Sequence, residues 1–299
     1  MPLPIVAKPP SQPGHLKARE YFLPLQRRVH LMGILNVTPD SFSDGGRFLA
    51  PDAAVAHVLD MVEAGADMID IGAESTRPGA EPVDEPEEIR RLIPVVREVC
   101  RRITVPVSVD TSKASVARLA LEAGAAIIND ISALRNDSRM GTVVAESGAG
   151  LVLMHRQGTP LTMQQAPAYH DVVAEVRQFL ADRVRTALEC GISPAQIMLD
   201  PGIGFGKNLQ HNLTLLARMS ELVSLGYPVL VGVSRKAFIG QLLGRPIEQR
   251  VMGTAAASTM AILGGARVVR VHDVGEIRDV VTMVDAIRGM QPQTLSAYR

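Results

Sequence analysis

Eight short apolar or β-branched runs recur along the chain, separated by longer stretches in which apolar residues return three and four positions apart. The runs are His30–Leu35, Met68–Ile71, Val105–Val109, Ala126–Asn129, Leu151–Met154, Ile197–Leu199, Pro228–Val233 and Val268–Val271. Helical periodicity is clearest in Pro51–Ala64, Glu87–Arg101, Lys113–Ala123 and Val172–Glu189. Strand-length runs alternating with helical segments are what a parallel sheet of βα units requires. Gly65, Gly124, Gly191, Gly226 and Gly265 fall where a helix should end before the next strand, the place where a left-handed cap favours glycine. Eight such units in about 300 residues favour a closed, single (β/α)8 TIM barrel over a doubly wound open sheet, which shares the same local signals.

Composition narrows the partners. The 299 residues are 46% hydrophobic and 21% charged, enough for one large core, and 31 Lys+Arg balance 31 Asp+Glu. That balance argues against a nucleic-acid or membrane-surface partner and for a small-molecule one. Cys100 and Cys190 lie inside helical patterns, far apart and without metal-ligand spacing, so both read as buried structural thiols. Residues 1–25 read as a Pro-rich extension, 26–290 as the barrel and 291–299 as a tail. The stretch from Met1 to Gly14 has five prolines and no apolar signal core, and Val251–Val269 is broken by polar residues and glycines. A cytoplasmic protein without a membrane span is therefore expected.

Polar residues gather just after the runs. The first ends in Asn36, the second in Glu74-Ser75-Thr76-Arg77, and the next four in Asp110, Asn129-Asp130, His155 and Asp200. The last two end in Ser234-Arg235-Lys236 and in Arg270 with His272. The C-terminal rim is where barrels of this type hold their active sites. A single Asp or Asn after a strand is as readily a helix cap, and Asp110-Thr111-Ser112 could cap the helix that follows. Asp130 reads as a cap or loop residue, and His155 as a hydrogen-bond partner of a neighbouring loop before it reads as a substrate contact. Asp110, Asn129 and Asp200 suit a flat heterocycle with several N–H groups. Lys236, Arg270 and His272 form a cationic flank on the last two strands, where barrels commonly bind phosphate. Gly202 to Lys207 lacks the ending of a P-loop, since Asn208 follows, and reads as backbone that approaches the ligand closely. Asp40–Gly46 and Arg77–Glu88 are candidate lids.

The strings GILNVTPDSFSDGG (Gly33–Gly46), GAESTRPGA (Gly72–Ala80), SVDTSK (Ser108–Lys113) and INDI (Ile128–Ile131) closely resemble those of dihydropteroate synthases. So do MHRQGTP (Met154–Pro160), LDPGIGFGKN (Leu199–Asn208), SRKAFIG (Ser234–Gly240) and RVHDV (Arg270–Val274). The resemblance implies a transferase that joins a dihydropterin methyl diphosphate to 4-aminobenzoate and releases diphosphate. It implies that Asp110, Asn129, Asp200 and Lys236 hold the pterin, and that Asn36, Arg270 and His272 hold the diphosphate, with Mg²⁺ at Asn36. It places Phe42, Asp44, Thr76, Arg77, Pro78, Phe205 and Ser234 in the aminobenzoate pocket and its loops. It also implies a homodimer through late helices such as Glu248–Leu263, and sulfonamide binding. Because Asp40–Gly46 and Arg77–Glu88 are too rich in Gly and Pro to hold a fixed shape alone, a pocket built from them should form only once the pterin substrate is bound, so ordered binding with that substrate first is expected. Many relatives carry Ser where this chain has Ala237, so the contact it offers the aminobenzoate carboxylate would fall to backbone N–H groups.

Two other readings stay open on sequence: a methyltetrahydrofolate-binding corrinoid methyltransferase in the same barrel, and a non-catalytic pterin-binding paralogue. The first needs neither the diphosphate cations nor the Asn36–Gly46 loop. Release of pyrophosphate separates all three.

Overall fold

The computed structural model describes residues 14–37, 51–74, 83–158, 162–163 and 166–289. Eight parallel strands follow the eight apolar runs: β3 (His30–Asn36), β4 (Met68–Gly72), β5 (Val107–Asp110), β6 (Ile127–Asp130), β7 (Gly150–Met154), β8 (Ile197–Asp200), β9 (Leu230–Gly232) and β10 (Val268–Val271). They pair in the order β8-β7-β6-β5-β4-β3-β10-β9. The remaining gap is closed by a parallel bridge between Leu199 and Val229, with the Leu199 amide donating to the Pro228 carbonyl at 2.9 Å. The sheet is thus a closed barrel, and the open-sheet alternative is excluded.

Helices α1 (Pro51–Glu63), α2 (Glu85–Arg102), α3 (Ala114–Glu122), α4 (Met140–Ser147), α5 (Val172–Glu189), α6 (Leu209–Ala217), α7 (Met219–Val223), α8 (Ala237–Leu243), α9 (Val251–Leu263) and α10 (Val274–Ile287) surround it. The five glycines expected at helix ends all take positive φ, among them Gly124 at 115° and Gly265 at 107°. Part of the lid predicted over Arg77–Glu88 is instead helix. Asp84 accepts from the Glu87 amide at 2.9 Å and caps α2, so Glu85–Glu88 form its first turn, and residues 77–82 lie outside the described residues.

Side chains alternate across each strand, and this alternation builds two cores. Outward residues such as Leu31, Ile69, Val109, Ile128, Leu153 and Val269 pack under the helices. Inward residues Met32, Met68, Ile127, Val152, Met198, Leu230 and Val268 fill the lower barrel. Leu16, Ala18 and Leu25 join that inner cluster from below, carried by an antiparallel hairpin of β1 (Leu16–Ala18) and β2 (Tyr21–Leu23). The sequence reading set residues 1–25 apart as an extension; residues 16–25 of it instead plug the bottom of the barrel, because three apolar side chains there have no other place to bury.

Cys100 and Cys190 are free and half-buried, not fully buried as expected. Burial still pushes the Cys100 thiol up to about 11, so it stays protonated and inert at neutral pH. Among the described residues no helix is long and apolar enough to cross a membrane.

Candidate active site

The alternation that places Met68, Ile127, Met198 and Val268 inside the lower barrel places the residues two further on inside the upper barrel: Asp70, Asn129, Asp200 and Arg270. Ser108 and Asp110 follow the same pattern on β5. Each of these strands is therefore apolar or small inside at the bottom and polar at the mouth. The register brings the polar level together, with Asp110 opposite Asn129 on adjacent strands.

Asp110 and Asp200 are 9% and 6% exposed. The cap reading of Asp110 fails, because the first amide of α3, at Ala114, is met by the Asp137 carboxylate at 3.0 Å. Burial, and then the neighbouring Asp70 charge, push the Asp110 carboxyl up to about 8. Burial also pushes Asp200 up to about 6, against the opposing pull of the Gly202 amide, which donates to it at 2.7 Å, and of Lys236. Lys236 precedes α8, and its ammonium lies 3.9 Å over the Phe205 ring. Burial and the Arg270 charge bring it down to about 8.

Arg270 donates from Nε to Asp70 at 2.6 Å, and its Nη2 lies 3.6 Å from Asp110. Asn129 also donates to Asp70, at 3.1 Å, while its own Oδ1 and the Asp70 Oδ1 are buried without partners among the described residues. His272 corrects the picture of a fully cationic flank. Burial, followed by Arg270 and Arg235, brings its imidazole down to about 3, so it is neutral at physiological pH. Its Nδ1 lies 2.9 Å from the Ser234 hydroxyl, which also accepts from the His272 amide at 3.1 Å. Ser234, expected in the aminobenzoate pocket, thus sits where it orients His272.

Asp130 behaves as the loop residue expected of it, accepting from Ser132 N, Ser132 Oγ and Leu134 N at 2.6–2.8 Å. His155 meets a neighbouring loop, with its Nδ1 2.9 Å from the Lys207 ammonium. Lys207 was not singled out on sequence. It is 2% exposed and donates to the Gly202 and Phe205 carbonyls at 2.9 and 3.0 Å, tying down the loop after β8. The glycines of that loop face protein as well as the mouth. A Cβ on Gly202 would lie 1.9 Å from the His155 carbonyl oxygen, and one on Gly206 2.5 Å from that of Gln157. The close approach they were expected to give a ligand is at these two positions an approach to the loop after β7. Asp70 was missed too; the signal was a carboxylate inside the apolar run Met68–Ile71. Phe42, Asp44, Thr76, Arg77 and Pro78 lie outside the described residues.

Asn36 ends β3 at the mouth, and no group of three or more His, Cys, Asp or Glu side chains able to hold a metal occurs among the described residues. The Asn36 amide oxygen is a hard donor that suits a cation taking most of its other ligands from water and phosphate oxygens, as Mg²⁺ does at phosphate sites.

A closed barrel whose mouth combines buried carboxylates, an amide and two cations defines an enzyme for a polar heterocycle bearing an anionic group. Residues 32–272 match the model of the pterin binding enzyme family, to which the chain belongs. Within it the relatives are dihydropteroate synthases: that of Synechocystis sp. is 47% identical over 87% of this chain and 91% of its own, and that of Escherichia coli 48% identical over 86% and 91%. The Yersinia pestis dihydropteroate synthase, solved with a sulfonamide drug, superposes with a TM-score of 0.87 at 47% identity, covering 92% of this chain and 99% of its own. The Xanthomonas albilineans dihydropteroate synthase, solved with 4-aminobenzoic acid, gives 0.87 at 46%, covering 94% and 100%.

Proposed function

We propose that the chain is a dihydropteroate synthase, transferring a (7,8-dihydropterin-6-yl)methyl group from diphosphate to the amine of 4-aminobenzoate. The observation that carries the reading is the polar level of the upper barrel, where Asp110, Asn129, Asp200, Lys236 and Arg270 rise from five different βα units around one opening. Asp200 keeps one carboxylate oxygen for the Gly202 amide and has another to accept from the aminopyrimidine edge. Asp110 and Asn129 offer further polar atoms to the ring N–H groups, and Lys236 donates to the pterin carbonyl and ring nitrogen.

Arg270 and the neutral His272 ring bind the diphosphate, and Asn36 would hold Mg²⁺. When bound, the metal neutralises charge on the leaving diphosphate. The bond from the pterin methylene carbon to the diphosphate oxygen breaks first, in an SN1-like path, and the electron-rich pterin carries the resulting cation. The arylamine nitrogen then attacks the methylene carbon, and the proton it sheds passes to water or to the released diphosphate. An arylamine is neutral at cellular pH, so no strong base has to be built, and catalysis rests on positioning and charge stabilisation.

Phe205, under the Lys236 ammonium, borders the aminobenzoate side, with Phe42, Asp44, Thr76, Arg77 and Pro78 as its further residues. A homodimer belongs to the same proposal. Leu242, Met252, Met260, Met283 and Ile287 expose 51–77% of their surface on α8, α9 and α10, an apolar face that a second copy would cover. The small residues of α9 do not add to this argument, since a Cβ on Gly253 would meet Ile239 of α8 at 2.3 Å. A cytoplasmic location completes the reading and is checked by fractionation.

The test is to mix the protein with the pterin methyl diphosphate, 4-aminobenzoate and Mg²⁺ and measure pyrophosphate. Release that requires both organic substrates is expected. No release, or methyl transfer from methyltetrahydrofolate to a corrinoid, would overturn the assignment.

A further inference from the structure

Asp70 has no part in the ligand contacts proposed above, yet it is fully buried in the middle of β4, at the level of the site. A buried carboxylate is costly unless paired and hydrogen-bonded, so its retention calls for a task. Its Oδ2 receives Arg270 Nε at 2.6 Å from β10 and Asn129 Nδ2 at 3.1 Å from β6. Two groups on opposite flanks of the mouth are thereby tied to one oxygen.

Arg270 has a second carboxylate within reach, since its Nη2 lies 3.6 Å from Asp110 Oδ2. That distance is beyond a hydrogen bond, whereas the contact with Asp70 is short. The guanidinium is therefore held toward β4, and Asp110 is left without a hydrogen-bonded cation. Were Asp70 neutral, Asp110 would be the carboxylate nearest the buried guanidinium, with Asp200 acting from farther away, and a close ion pair with Asp110 would follow from electrostatics in that setting.

We infer that Asp70 is a positioning residue for the transfer reaction, holding the Arg270 guanidinium on the diphosphate side and keeping the Asp110 carboxyl open to the pterin. The inference rests on the reading of this mouth as a site for a pterin diphosphate. Asp70 touches neither substrate; it acts through Arg270, Asn129 and the charge it presents to Asp110.

The test is steady-state kinetics of Asp70→Asn in the full chain, an isosteric change that removes the charge. Because a group displaced by an ångström costs a large factor in rate, kcat is expected to fall about tenfold or more. KM for 4-aminobenzoate, whose binding does not involve this pair, should move less than about threefold. The pH profile of kcat/KM for the pterin substrate supplies a readout that mere loss of packing would not move. Asp110 is faced by Asp70, Arg270, Glu88 and Glu74, and it in turn acts on Arg156 and Lys236. Removing the Asp70 charge alone should carry its ionisation, and the limb it governs, to lower pH.

Asp70→Glu keeps the charge but displaces the guanidinium, and is expected to lose kcat as well; it stands in should the amide variant fold poorly. A folded variant with wild-type kcat and pH profile overturns the inference, as does one whose only change is a lower Tm. A wild-type chain that releases no pyrophosphate overturns the proposed activity and this inference together. An active wild type with indifferent Asp70 variants overturns the inference alone.

Discussion

At the bottom of the barrel Asp67 is almost fully buried, and it accepts from Arg28 through two nitrogens at 2.5 and 2.8 Å, from the Leu31 amide at 2.8 Å and from Arg278 at 3.4 Å. At the mouth Asp110 and Asp200 are as deeply placed but have far fewer donors. The outcome differs in sign. Burial works against the Asp67 charge, but the Arg28 hydrogen bonds with the charges of His30, Arg28 and Arg278 outweigh it, and its pKa ends below the usual carboxylate value. Burial prevails at Asp110 and Asp200, which rise to about 8 and about 6. Charges that serve the fold have been satisfied by the protein itself. The Asp110 and Asp200 carboxylates at the mouth have been left short of partners, the pattern expected of groups kept for a ligand with complementary donors.

The largest effect expected from this contrast lies at the bottom. Asp67→Ala leaves Arg28 and Arg278 without their carboxylate and should cost about 3–5 kcal/mol of stability, measured by urea unfolding at neutral pH. Because the folded pKa is lowered, the contribution of Asp67 is present above the ordinary carboxylate pKa and is lost only as pH falls through the lowered value. A loss of pterin binding at unchanged stability would break the comparison.

Asp200→Asn comes next. Replacing an acceptor pair with a mismatched amide should weaken pterin binding by about 2–4 kcal/mol, read by calorimetry, with the fold intact. Affinity within threefold of wild type would remove Asp200 from the pterin site.

Arg270→Ala sharpens the contrast within the mouth. It should weaken binding of the diphosphate-bearing pterin by about 1.5–3 kcal/mol, the range for hydrogen bonds to charged groups, and change binding of a pterin lacking the diphosphate much less. His272→Ala should follow the same pattern with a smaller loss, because its ring enters the free site neutral. Equal losses for both ligands would assign these residues a structural role.

The smallest effect is a gain. With its folded pKa raised, Asp110 holds its proton more tightly in the folded state than in the unfolded chain. Between the ordinary carboxylate pKa and about 8 its contribution to stability therefore declines as pH rises. Asp110→Asn removes that penalty and should raise stability at pH 8 by about 1 kcal/mol, the gain fading toward pH 4, while turnover is lost. A lower Tm at pH 8 would show that the ionised carboxylate is satisfied after all.

The eight strands were legible because parallel strands covered on both faces must be apolar throughout, and each such run stands out between helical segments. Asp110, Asn129, Asp200, Lys236 and Arg270 at the mouth were legible together, because polar residues close all eight apolar runs, although any one of them alone could have been only a cap. The hairpin was not, since Leu16–Ala18 and Tyr21–Leu23 are three residues each and bury only a few side chains against strands far away in sequence. Asp70 was absorbed into the run Met68–Ile71, where its neighbours hid it. Lys207 was read against a phosphate-loop pattern it fails, and its partners, the carbonyls of Gly202 and Phe205, are backbone groups that no sequence displays. The neutrality of His272 depends on burial and on Arg270 beside it, neither of which a one-dimensional pattern carries.

The most direct test of the division between the two ends is pyrophosphate release by Asp67→Ala and Asp200→Asn, measured side by side at a temperature where both are folded. Asp67→Ala should turn over within about twofold of wild type, since it touches nothing at the mouth. Asp200→Asn should retain about a hundredth or less of the wild-type rate. The reverse result, an inactive Asp67→Ala beside an active Asp200→Asn, would contradict the account.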